Sequence, residues 1–310
     1  MKMLIIFTLT TVTLVCAEPL LGQGGGEKPI AGVGPTGPIK KWHTGFKFVE
    51  GPMADGKGNV YFSDLQANKI HKIDADGKLS VFSDELKGPN GLMFNTKGEL
   101  VACEMNAGRV VAFDVDSKKL RVVADTYEGK GFGGPNDLVT DLQGGVYFTD
   151  FRTAKGKQDK MGVYYVAADG KVSRLVDSLK SPNGIILSTD EKILYVIPSS
   201  GPEIYSYAVE SPGKVGPGKV FCKLQAAPGK KGNPTGDGVA IDTKGNLYFT
   251  AGSGIQVFNP KGDHLGTITF PEAPANVDFG GTDFKTLIVT ARTSVYSVPM
   301  EATGHRFGKK

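Results

Sequence analysis

The chain has 310 residues, 43 of them glycine and 18 proline, and a net charge of +4. That length holds one large domain or two small ones, and the turn-rich composition suits an all-β chain with many hairpins. The charge, small and dispersed, argues against a nucleic-acid partner.

Residues 1–17 read as a cleavable signal peptide. Lys2 gives a positive start, residues 4–15 are mostly apolar, and Val15 and Ala17 flank a cleavage point before Glu18. An apolar run of about twelve residues is too short to span a bilayer, so a secreted or periplasmic protein is expected rather than an anchored one. Residues 18–41 are rich in Gly and Pro and read as a linker or loosely held arm. Residues 42–303 read as the packed domain, and 304–310 as a basic tail. With Cys16 in the leader, Cys103 and Cys222 remain. Both lie in apolar strand runs, as buried free thiols do.

One phrase then repeats six times: a polar residue, an apolar strand, a tight turn and a second apolar strand. The copies are 50–64, 90–104, 136–150, 183–199, 237–251 and 276–291. Each closes on a variant of Val146-Tyr-Phe-Thr, such as Val60-Tyr-Phe-Ser or Leu247-Tyr-Phe-Thr. From Val60 the equivalent position recurs at Leu100, Val146, Leu194, Leu247 and Leu287, in steps of 40, 46, 48, 53 and 40 residues. Strand repeats of this period predict an all-β, six-bladed β-propeller. The sixth repeat runs out one strand short, and residues 42–49 can supply it, closing the ring and hiding its edges. A closed ring leaves few edges for pairing, so a monomer is expected.

Counting back from each apolar marker gives Glu50, Asn90, Asn136, Asn183, Asp237 and Asn276, at an offset of ten or, for Asn183 and Asn276, eleven. In a propeller such equivalents form one ring around the central channel. Taken singly, Asn-Gly and Asp-Gly are ordinary turn signals; six in register, each before an apolar strand, point to a ring. Two carboxylates 4–5 Å apart repel by about 3–4 kcal/mol even at an effective dielectric of about 20. Glu50 and Asp237 must therefore share a proton or bind a cation. An all-oxygen set without Cys or His suits Ca²⁺ or Mg²⁺, and a flexible ring favours Ca²⁺. Asn90, Asn276 and Asp137 are candidate substrate contacts, as are Glu104 and Asp150 at the strand ends. Long loops at 126–134, 151–161 and 225–236 crowd the same mouth and carry Arg152, Lys155, Lys157, Lys230 and Lys231. Arg152 joins the substrate candidates. No histidine falls at a ring position, and no Gly-x-Ser-x-Gly elbow or phosphate loop is present.

These segments resemble a known family. Glu50-Gly-Pro, Gly88-Pro-Asn-Gly-Leu, Tyr127-Glu-Gly-Lys, Pro135-Asn-Asp, Tyr147-Phe-Thr-Asp, Pro182-Asn-Gly-Ile, Gly236-Asp-Gly and Thr290-Ala-Arg-Thr-Ser are similar, in order and spacing, to the gluconolactonase/regucalcin (senescence marker protein) family, above all its secreted bacterial branch. The resemblance covers about residues 42–300. It implies a six-bladed propeller that opens sugar lactones, with a divalent ion, usually Ca²⁺, held by Glu50, Asn136, Asn183 and Asp237. It also implies Asp237 as the acid/base, a role in tension with metal ligation, which lowers basicity; a nucleophile or an orienting ligand are the alternatives. Gly134 departs from members that carry a substrate-binding arginine there, which leaves substrate choice open. Another metal-dependent esterase or phosphotriesterase, or a binding propeller with a structural ion, are the competing readings.

Overall fold

A computed structural model describes residues 29–226, 234–252 and 254–308. The signal-peptide reading falls on residues outside these. Among the described residues, six antiparallel sheets form the blades, five of four strands and one of five. The inner strands are Val49–Ala54, Pro89–Phe94, Pro135–Thr140, Pro182–Leu187, Gly236–Ile241 and Pro274–Gly280. Each touches the next, and the sixth touches the first, so the ring is closed. The expected six-bladed propeller is the fold.

Local chemistry explains the strands. The second strand of blade three, Val146–Asp150, is buried at all five positions because its two faces pack on neighbouring blades. That is why it reads as a continuous β-branched and aromatic run rather than an alternating one. Outer strands such as Leu79–Ser83 are half exposed. At the far end of the channel, Asp55, Asn95, Asp141 and Asp242 cap the hairpins by accepting backbone N–H groups two to four residues on.

The chain termini differ from expectation in two places. The outer strand of blade six is Lys40–Thr44, two residues earlier than read, and pairs antiparallel with Ser294–Pro299. Val49 instead opens the inner strand of blade one. Glu272 clasps this seam: it bonds the hydroxyls of Ser294 (2.6 Å) and Tyr296 (2.8 Å) and pairs with Lys41 at 3.1 Å. The arm before the seam is also not loose where it is described. Val33 is buried and its carbonyl accepts the N–H groups of Glu301 and Ala302.

The C-terminal residues are likewise packed rather than a free tail. Gly304 lies so close to Phe279 that a Cβ would sit 2.1 Å from its Cβ. The His305 N–H donates to the Ile241 carbonyl, Arg306 lies 4.3 Å from the Phe284 ring centre, and Phe307 packs on the core. These residues cross the far end of the channel. The cavity between ring and crossing is about 20 Å³, room for about one water.

A candidate metal centre in the channel mouth

Every inner strand slips its pairing register near its start. The slips fall at Glu50/Met53, Pro89/Leu92, Pro135/Leu138, Pro182/Ile185, Gly236/Val239 and Pro274/Asn276. A bulge re-aims a side chain that would otherwise lie in the sheet. Glycine follows the polar residue in four blades because the next strand passes at that point: a Cβ on Gly51, Gly91, Gly184 or Gly238 would lie 2.1–2.4 Å from the neighbouring blade. The Pro-Asn-Gly and Gly-Asp-Gly signatures therefore belong to bulges at a blade junction, not to hairpin turns.

The registers place Glu50, Asn90, Asn136, Asn183 and Asp237 at one level. Each follows a residue paired, directly or by register, with the end of the second strand: Val49 with Asp64, Pro89 with Glu104, Pro135 with Asp150, Pro182 with Pro198 and Gly236 with Ala251. In blade six Pro274 pairs with Ala291, so the ring-level residue is Ala275 and not Asn276. Hydroxyls agree: Ser63, Thr149 and Thr250 donate to the carbonyls of Asn90, Asn183 and Ala275, each in the following blade. Asn276 lies one step deeper, level with Asp137, and its amide reaches the Asp137 carboxylate at 3.5 Å. It also hydrogen-bonds Glu50.

The ring is electrostatically unbalanced. Burial pushes the Glu50 carboxyl well above its usual range, and the Asp237 and Asp137 charges push it further. Burial raises Asp137 to about 7, with Asp237 adding to the rise. Asp237 is raised by burial too, opposed by a hydrogen bond from Asn183 and by the charge of Arg292. Asn183 is itself oriented by a 2.8 Å bond to Ser199, which donates to the Gly236 carbonyl. Among the described residues no group of three His, Cys, Asp or Glu is placed to hold a metal. Any ion here must draw on amide oxygens as well. Glu50, Asp237, Asn136 and Asn183 would make such an all-oxygen set, in which a divalent cation would offset the repulsion between the two carboxylates.

Other sequence candidates lie elsewhere. Glu104 is buried and spent on the Lys87 N–H (2.7 Å) and the Arg109 guanidinium (2.5 Å). Asp150 accepts the Gly133 and Gly134 N–H groups at 3.0 and 2.6 Å, and burial raises it to about 6. Asp64 does the same for Lys47 and Phe48. These strand-end acids pin the chain entering the inner strand and do not face the ring. Asp137 faces the cavity below the ring rather than the mouth. Arg152 is at the mouth: it lies against Gly134, where a Cβ would sit 2.8 Å from its Nε, and donates to Asn106 (2.9 Å) and the Gly133 carbonyl (3.3 Å). Lys230 and Lys231 are outside the described residues. Two groups were missed. Asp278, deep in the channel, has a buried Oδ2 with no partner and is raised to about 7 by burial. Arg292 sits on the blade-six turn at the mouth. The signal for a deeper acidic layer was visible: blade three alone among the Asn-bearing repeats reads Asn136-Asp137 where the others read Asn-Gly or Asn-Val.

Fold and site thus define a six-bladed propeller with an oxygen-donor ring at one channel mouth. Residues 48–293 match the SMP-30/Gluconolactonase/LRE-like region, and the chain belongs to that family. It is 30% identical over 295 residues to a gluconolactonase of Zymomonas mobilis, covering 86% of this chain and 82% of that protein. It is 30% identical to the lactonase drp35 of Staphylococcus haemolyticus, covering 72% and 70%. Among solved structures, a gluconolactonase of Xanthomonas campestris superposes with a TM-score of 0.76 at 26% identity, covering 84% of this chain and 89% of the other.

Proposed function

We propose that the protein is a divalent-metal-dependent hydrolase that opens sugar lactones at the channel mouth. The observation that carries this is the repelling pair of buried Glu50 and half-buried Asp237, on one level with Asn136 and Asn183, in a chain whose relatives are named as lactonases. Glu50, Asn136, Asn183 and Asp237 would hold the ion, with Ca²⁺ the best match to a flexible all-oxygen set. When bound, the ion supplies positive charge against the carbonyl oxygen of the ester.

The chain's own residues do the rest. Asp237 takes the proton of the attacking water. The water oxygen bonds to the carbonyl carbon, the acyl–oxygen bond of the ring breaks, and the same proton passes to the leaving alkoxide. The product is an open-chain hydroxy acid. Asn90, at ring level, would contact sugar hydroxyls, and Arg152 would line the entrance from blade three. The C-terminal residues cross the far end, which leaves the ring mouth as the route for substrate and product.

The test is hydrolysis of D-glucono-1,5-lactone, followed by pH-stat against the spontaneous rate, on metal-stripped protein with and without Ca²⁺. Turnover restored by Ca²⁺ and reduced about 10²–10⁴-fold by Asp237→Ala is expected. Full turnover without metal, or in the variant, would sink the reading.

A further inference from the structure

The ring has a gap. Five blades offer a polar side chain at ring level, and blade six offers Ala275. Beside that gap stands Arg292, at the turn between Thr286–Ala291 and Ser294–Pro299. Its backbone is left-handed, with φ +50, as suits the two-residue hairpin turn between Ala291 and Ser294. The turn is locked rather than frayed. The Val49 N–H donates to the Arg292 carbonyl at 2.9 Å, and the Gly45 and Phe46 N–H groups donate to the Thr293 carbonyl.

The guanidinium lies over the Phe48 ring, 5.9 Å from its centre. It takes part in none of the ion pairs among the described residues. Arg152, on the blade-three side, is already held by Asn106 and the Gly133 carbonyl. Arg292 is therefore the guanidinium with its hydrogen-bonding face available, and its charge is felt at Asp237. An uncharged sugar lactone engages it only through single hydrogen bonds to hydroxyl oxygens. A planar guanidinium matches a carboxylate or phosphate with two parallel hydrogen bonds.

We propose that Arg292 is an anion-recognition residue, taking a carboxylate or phosphate group of the ligand in the gap beside Ala275. The anion is a second substituent on the lactone or the carboxylate of the released acid. This rests on the lactone-hydrolase reading.

The experiment uses Ca²⁺-loaded wild type, Arg292→Gln, Arg292→Lys and Arg292→Asn, the last because asparagine tolerates the left-handed backbone. The kcat/KM ratio for 6-phospho-D-glucono-1,5-lactone over D-glucono-1,5-lactone is expected to fall at least about tenfold in the Gln and Asn variants, mainly through KM. Arg292→Lys should recover part of it. An unchanged ratio with a similar rise in the inhibition constant of gluconate places the anion on the product instead. If neither moves, or if both lactones and Tm decline together, the proposal is overturned. Calorimetry with 6-phosphogluconate separates the two readings. Arg292-dependent binding without lactone turnover keeps the anion site and discards lactone hydrolysis. Turnover with Arg292-independent binding does the reverse.

Discussion

The two ends of the channel each hold buried acid, and they differ in what surrounds it. At the mouth, Glu50 and Asp237 stand among the amides of Asn136 and Asn183 on bulged strands. At the far end, Asp278 faces a cavity also lined by Met53, Met93 and Phe307, with an oxygen that meets no partner. Both ends raise carboxyl pKa values by burial. A perturbed acid does not by itself mark a site; what sets the mouth apart is that its acids share one level with the amides of Asn136 and Asn183.

Four variants test that contrast. The largest effect falls at the mouth: Asp237→Asn should cut lactone turnover about 10²–10⁴-fold while leaving the Tm of the metal-stripped protein unchanged or higher, because a repelling charge is removed. Next, Gly238→Ala puts a Cβ 2.1 Å from Asn276 Oδ1 and 2.7 Å from its Cα. A destabilisation of about 2–4 kcal/mol by urea unfolding is expected, since backbone as well as side chain must shift.

At the far end, Asp278→Asn should leave turnover intact and raise stability by about 1–3 kcal/mol at pH 8, with little change below about pH 4. The sign follows from the raised pKa of about 7. The folded protein holds a proton that the unfolded chain releases near pH 4. This stabilisation is complete below that value and is lost as pH rises through about 7. A turnover loss comparable to that of Asp237→Asn would erase the distinction between the ends. The smallest effect is Phe307→Ala, which uncaps the cavity: about 1–2 kcal/mol of stability, read by thermal unfolding, with kcat for the lactone within twofold of wild type.

The propeller was legible because each second strand is buried on both faces and so repeats as one apolar phrase. The ring was legible for the same reason, one bulge upstream, except in blade six. There the offset of eleven at Asn276 looked like the eleven at Asn183, yet the causes differ. Paired strand ends are six residues apart in blade three (Thr140 and Val146), seven in blade four (Leu187 and Leu194) and eight in blade six (Phe279 and Leu287). Hairpin length hides register from a count along the sequence. Glu104 and Asp150 misled because an acid at a strand end reads alike whether it serves backbone or ligand; only their N–H partners tell. Arg292 was invisible as a site residue because nothing in its own segment says that its charge reaches Asp237 in another blade.

The clasp at Glu272 has a kinetic meaning. Thr44 and Ser294 meet across 250 residues of sequence. Closing so long a loop costs on the order of 5 kcal/mol of chain entropy by the logarithmic law. Five blades can assemble as the chain is made, but the sixth waits for its last strand, so this seam is expected to close late in folding. Burial works against the Glu272 carboxylate, yet Ser294, Tyr296 and Lys41 together hold its pKa down at about 2. That grip is full above the ordinary carboxylate range and slackens as pH falls toward 2. Acid therefore unlatches the ring at the one place where its two ends are joined.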